Sequence, residues 1–234
     1  MTSDSKIIVA LDYSRESDAL ALVEQLDPEQ CRLKVGKELF TTAGPGFVKR
    51  LINLQYDVFL DLKFHDIPNT VAKACAVAAD LGVWMVNVHA LGGRKMLEAA
   101  RAAIDSSGSN TLVIAVTILT SMAEDDLLEV GLESTPEANV LRLARLAQSS
   151  GLDGVVCSPL EVNILRAQLG SKFLLVTPGV RPAGSVVGDQ KRIMTPRDAI
   201  QSGASFLVVG RPITAADNPL STLLTISREV CSIS

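Results

Sequence analysis

Residues 58–89 read VFLDLKFHDIPNTVAKACAVAADLGVWMVNVH, and this stretch decides the fold. Val58–Leu62 is a short run of apolar and β-forming residues, Asn69–Leu81 has helical period, Gly82 suits a helix C-terminal cap, and Trp84–His89 is a second strand-like run. Strand, helix, strand is the unit of a parallel sheet.

Working outward, the same alternation extends over the whole chain. Further strands are predicted at Ile7–Leu11, Arg32–Val35, Leu112–Thr117, Gly154–Cys157, Phe173–Thr177 and Phe206–Val209. Helical patterns lie at Glu16–Leu26, Pro45–Leu54, Lys95–Ser106, Glu137–Ser149, Leu160–Leu169, Pro196–Ser202 and Leu220–Val230, with Gly108, Gly151, Gly170 and Gly203 as further caps. Eight strands each followed by a helix is the count of a closed (β/α)8 TIM barrel, predicted as a single α/β domain over residues 1–234. A doubly wound open sheet is disfavoured, because the first turn, Leu11-Asp12-Tyr13-Ser14, has none of the glycines of a dinucleotide-binding turn.

The bulk numbers agree. The 234 residues suit one barrel, and 47% hydrophobic residues suffice for a sizeable core. A net charge of −4 with no basic block gives no sign of a nucleic-acid partner. No apolar run reaches the roughly 18 residues of a membrane span, and the polar stretch 1–6 does not read as a leader. Cys31, Cys75, Cys157 and Cys231 are scattered without a CxxC pair, which reads as free thiols in a cytoplasmic protein.

In a barrel of this kind, chemistry sits at the C-terminal ends of the strands. Those ends present Asp12, Lys34, Asp61, Lys63, His89, Thr120 and Ser121, Pro178 to Arg181, and Gly210-Arg211. By strand alternation Asp61 and Lys63 point the same way, into the barrel, with Lys34 beside them and Asp66 on the turn into the next helix. Lys34, Asp61, Lys63 and Asp66 sum to zero charge, so an alternating array is mutually compensated where a lone buried charge would not be. A purely structural salt-bridge plug is the plainer alternative, but barrel cores normally use Val, Ile and Leu there. Gly210 permits close backbone approach, and Arg211 can grip a phosphate in bidentate fashion. The segment Pro178–Thr195 is long for a strand-to-helix connection and reads as a closing loop. His65 and His89 lie on different strand ends and make too thin a ligand set for a metal, so packing roles are expected; Trp84 reads as core or interface.

DLKFHDIPNT at 61–70 resembles the signature of the orotidine 5′-phosphate decarboxylases: Asp-x-Lys-x-x-Asp, then Ile or Val, Gly or Pro, any residue, and Thr. IIVALD, KVGKELF, VTILTS, TPGVRP, GDQKRIMTP and VVGRPIT extend the resemblance along nearly the whole chain. It implies a cofactor-free and metal-free decarboxylase that makes UMP, with Lys63 as proton donor to C6 of the pyrimidine. Asp61 would lie against the substrate carboxylate; at about 4 Å and an effective dielectric near 20, that repulsion is roughly 4 kcal/mol. The resemblance further implies a homodimer in which Asp66 and Thr70 complete the partner's site. Asp12 and Lys34 would bind the ribose, Pro178, Arg181, Gln190, Gly210 and Arg211 the loop and phosphate region, and Thr120 or Ser121 the pyrimidine edge.

Three other readings remain at this point. Metal-dependent sugar-phosphate decarboxylases and hexulose phosphate synthases share the Asp-x-Lys-x-x-Asp array but carry Glu where this chain has Lys34. A Schiff-base aldolase could use Lys63 or Lys34. A non-catalytic phosphate-binding barrel is the third.

Overall fold

The computed structural model describes residues 5–182 and 194–231. Eight parallel strands close in sequence order, each hydrogen-bonded to its neighbours and the last to the first. They are β1 (Ile7–Leu11), β2 (Arg32–Gly36), β3 (Val58–Phe64), β4 (Met85–His89), β5 (Leu112–Val116), β6 (Gly154–Val156), β7 (Leu174–Pro178) and β8 (Phe206–Val209). The helices are α1 (Glu16–Val23), α2 (Lys37–Asn53), α3 (Pro68–Asp80), α4 (Gly93–Ser107), α5 (Glu124–Glu129), α6 (Pro136–Ser149), α7 (Val162–Leu169), α8 (Pro196–Gln201), α9 (Arg211–Thr214) and α10 (Pro219–Cys231). The predicted barrel is the observed one.

Strand alternation sorts the core into two sets. Residues of one parity, such as Val9, Leu33, Val35, Leu60, Val86 and Val113, join the helices in a large outer cluster. Those of the other parity, Ile8, Ala10, Phe59, Met85, Ile114, Val176 and Val208, form a smaller cluster inside the barrel. On β2 the inward positions are Arg32, Lys34 and Gly36, so this strand gives the interior no apolar side chain. Register places Lys34 between Ala10 and Phe59, and Gly36 beside Asp61.

Several boundaries differ from expectation for local reasons. Helix α2 starts at Lys37, not Pro45; Gly44 (φ 66°) breaks it, and Pro45 opens the second half, where a missing N–H costs nothing. Strand β3 runs two residues past Leu62 to Phe64. Helix α1 ends at Val23 rather than Leu26, and the short helices α5 and α9 were not anticipated. The five glycines expected as caps all have positive φ. Cys31, Cys75 and Cys157 are buried free thiols, each pushed up to about 12 chiefly by burial, whereas Cys231 is exposed. No helix among the described residues is long and apolar enough to cross a membrane.

Candidate active site

A cavity of about 500 Å³ opens at the C-terminal ends of the strands. Its wall has three chemically distinct parts. Strands β1 to β3 supply Asp12, Lys34, Asp61 and Lys63, set around Ala10 and Phe59. Opposite lie Val116, Ile118, Leu119 and Val156, an apolar face with Thr120 at its edge. The ends of β7 and β8 contribute Pro178, Gly179, Arg181, Gly210 and Arg211.

The charged part is an alternating line. Lys34 Nζ stands 3.1 Å from Asp12 Oδ1 and 3.4 Å from Asp61 Oδ2, and Lys63 Nζ donates to Asp61 Oδ1 at 2.7 Å. Burial alone would raise the Asp61 carboxyl. The ammoniums of Lys34 and Lys63, with hydrogen bonds from Lys63 and Asn87, overcome that and hold it below the ordinary carboxylate range. The line is neutral in sum, yet its two middle members are nearly closed to water, so the charges act on each other and on the cavity through a weakly screening medium.

Asp66 is not part of this line within the chain. Residues 65–70 are all exposed, because the chain turns outward after Phe64, and the Asp66 carboxylate accepts from the Ile67 N–H at 2.6 Å. Within the chain, the compensated set is Asp12, Lys34, Asp61 and Lys63. Asp66, Thr70 and Ser121 are exposed and do not line the cavity. Of the Thr120/Ser121 pair, Thr120 lines the cavity.

Strand period alone does not bring Lys63 to Asp61. Between Leu60 and Phe64 the β3–β4 pairing slips, and Lys63 takes φ 53°, in the left-handed region. The side chain of Asn87, fully buried on β4, fills the gap: its Oδ1 accepts from the Lys63 N–H at 2.8 Å, and its Nδ2 donates to Asp61 Oδ1 at 2.7 Å. Asn87 did not figure among the expected site residues. The signal was present as one amide in the otherwise apolar run MVNV.

At the β7/β8 rim, Arg181 and Arg211 are electrostatic neighbours. Burial, followed by the charge of Arg211, draws the Arg181 guanidinium below its usual value, a stress that an anion between the two would relieve. The Arg181 N–H donates to the Met194 carbonyl at 3.0 Å, so the two ends of the expected closing segment are tied together. Gln190 lies outside the described residues. His65 is exposed with its ring 5.4 Å from that of His89, and His89 is half-buried and pushed down to about 4 by burial first, then by His65, Lys37 and Lys63. Among the described residues, no three of His, Cys, Asp and Glu gather as a metal-ligand set.

Residues 5–226 match the model of the orotidine 5′-phosphate decarboxylase / HUMPS family. The chain belongs to that family. Its relatives include an orotidine 5′-phosphate decarboxylase of Actinobacillus succinogenes, 59% identical over 98% of this chain and 100% of the relative. Another, from Nitrosococcus oceani, is 59% identical over 98% and 99%. The crystal structure of the orotidine 5′-phosphate decarboxylase from Lactobacillus acidophilus superposes with a TM-score of 0.88 at 41% identity, covering 97% of this chain and 99% of that one. The family match spans all three parts of the cavity wall, from Asp12 to Arg211.

Proposed function

We propose that this protein is a carboxy-lyase that decarboxylates orotidine 5′-monophosphate to UMP and carbon dioxide without a cofactor, the last step of UMP synthesis, as a cytoplasmic homodimer. The observation that carries this reading is the Asp61 carboxylate held between Lys63 and Lys34 on the wall of a cavity whose other rim bears two guanidiniums.

In this reading the phosphate binds at Arg181, Gly210 and Arg211, with Gln190 and the 178–195 segment closing over it. The ribose hydroxyls meet Asp12 and Lys34, and the pyrimidine lies against the apolar face with Thr120 at its edge. The substrate carboxylate then stands against Asp61, whose retained negative charge disfavours it. The C6–carboxyl bond breaks, carbon dioxide leaves, and the electron pair stays on C6 beside the Lys63 ammonium. Lys63 stabilises that charge and then gives C6 a proton, recovering its own from solvent. Asp66 and Thr70 serve the partner's cavity, which their exposure and their absence from this chain's own lining support.

Lys34 favours this branch of the family over the metal-using sugar-phosphate enzymes. Its ammonium, 3.4 Å from Asp61, occupies ground where a cation would need the same carboxylate. A Schiff-base aldolase is poorly served, because the Lys63 Nζ that would attack a carbonyl is engaged by the Asp61 carboxylate at 2.7 Å.

The test follows loss of orotidine 5′-monophosphate absorbance in EDTA for wild type and Lys63→Ala. Turnover by wild type, with the variant at least about a thousandfold slower, is expected. Activity that needs added magnesium would move the assignment to the sugar-phosphate branch. No turnover under either condition would leave a binding barrel.

A further inference from the structure

We infer that Asn87 is a positioning residue for the decarboxylation, acting through Lys63 and Asp61 without touching substrate; the inference rests on the reading above. Left-handed backbone is unfavourable for a residue with a Cβ, and Lys63 is one of only two non-glycine residues with positive φ among those described. Something must hold it there. Between the pairs Leu60–Val86 and Phe64–Val88, three residues of β3 face the single Asn87 of β4, which leaves the Lys63 N–H without a ladder partner. Asn87 Oδ1 takes that N–H, and Asn87 Nδ2 fixes the same carboxylate oxygen that accepts from Lys63 Nζ.

The orientation of the amide is forced. A backbone N–H can only donate and an ionised carboxylate can only accept, so Oδ1 must face Lys63 and Nδ2 must face Asp61. No other side chain of this shape does both. Leucine matches the outline and does neither. Aspartate keeps the acceptor and sets a like charge against Asp61. The amide thus couples the backbone of the proton donor to the direction of the carboxylate that opposes it. At 0% exposure no water can take over either contact.

The groups facing this position are Asp61 and Lys63 from β3, Lys34 from β2 through Asp61, and His89 farther along β4. The residue paired from β5 is the apolar Ile114. A carboxyl placed here is therefore pressed against Asp61 and takes up a proton well above the ordinary carboxylate range; once protonated, it donates to Asp61 as the amide did. This gives a signature that simple loss of packing does not.

The experiment compares kcat and KM of wild type, N87D and N87L from about pH 8 to about pH 5, below each protein's melting temperature. Both variants should lose kcat by about ten- to a hundredfold at pH 8, with KM changed by less than about threefold. The ratio of N87D to wild-type kcat should rise as pH falls, while the N87L ratio stays flat. A flat N87D ratio, or kcat of N87L within about twofold of wild type, overturns the inference. So does a loss in either variant that follows its melting temperature. Absence of turnover in wild type would instead sink the decarboxylase reading, which separates the two failures.

Discussion

The barrel holds buried charge at both ends, Arg32 at one and Lys34 with Asp61 at the other, and the two ends handle it in opposite ways. At the floor, the Arg32 guanidinium lies 4.5 Å from the Trp84 ring centre and 5.0 Å from that of Phe206, with Asp57 at 3.2 Å and the Ser5 carbonyl as a further acceptor. A delocalised, weakly hydrated cation packed on two aromatic rings is well suited to permanent burial. At the mouth, two positions along the same strand, the cation is the compact ammonium of Lys34, and the carboxylate it faces is shared with Lys63 beside an open cavity. One end uses charge to close a barrel. The other keeps charges close together where a ligand can enter and change the balance.

The largest effect expected from breaking the mouth concerns its phosphate side. If Arg211 grips the phosphate as proposed, Arg211→Ala removes a bidentate, charge-assisted contact of about 4 kcal/mol, and kcat/KM for orotidine 5′-monophosphate should fall by roughly a thousandfold. Decarboxylation of the phosphate-free nucleoside should hardly change, because remote binding energy is what the variant loses. Equal losses on both substrates would mean that Arg211 supports the cavity itself.

The floor should answer in the other currency. Arg32→Met leaves Asp57 without its partner and removes the cation packed on two rings, and about 3 kcal/mol of stability should be lost in urea titration. Turnover at 25 °C should stay within about twofold of wild type. Adding Asp57→Asn should return part of the loss, since the unpaired carboxylate is then gone. A floor variant that slows turnover while leaving stability intact would erase the distinction between the two ends.

How much of this was legible in the sequence follows the same division. The strand count, the capping glycines and the mouth residues were visible, because period changes and strand-end positions are local properties. Residues Asp12, Lys34, Asp61 and Lys63 could be placed at one mouth before any coordinates. Their connections could not: Lys63 meets Asp61 through a bulge and a left-handed residue held by Asn87, and strand alternation contains no trace of either. Asp66 was expected on the turn into the next helix, and it lies there, exposed, just ahead of α3. The floor went unseen because Arg32, Trp84 and Phe206 come together only on closure of the barrel, from three strands far apart in the chain.

The smallest effect is a pH dependence that belongs to the mouth alone. His89, on β4 beside the charged line, is pushed down from 6.5 to about 4, first by burial and then by His65, Lys37 and Lys63. Between those two values the unfolded chain binds a proton at this position and the folded chain does not, so the unfolded state holds more protons and stability rises with pH. The contribution of His89 is then complete above about pH 6.5 and is lost as pH falls towards about 4. His89→Asn should flatten the urea-derived stability curve across that window and leave it unchanged above it. Because the ring is only half-buried, solvent screening keeps the difference modest. Asp61 depresses stability in acid in the same direction, so the slope that disappears with His89 is the part due to the imidazole. Arg32→Met should instead lower the whole curve without changing its slope in this window, since no histidine lies at the floor. Parallel curves for wild type and His89→Asn would mean that the imidazole takes up its proton in the folded protein as readily as in the unfolded one, and that neither its burial nor the charge of His65, Lys37 and Lys63 holds the proton off.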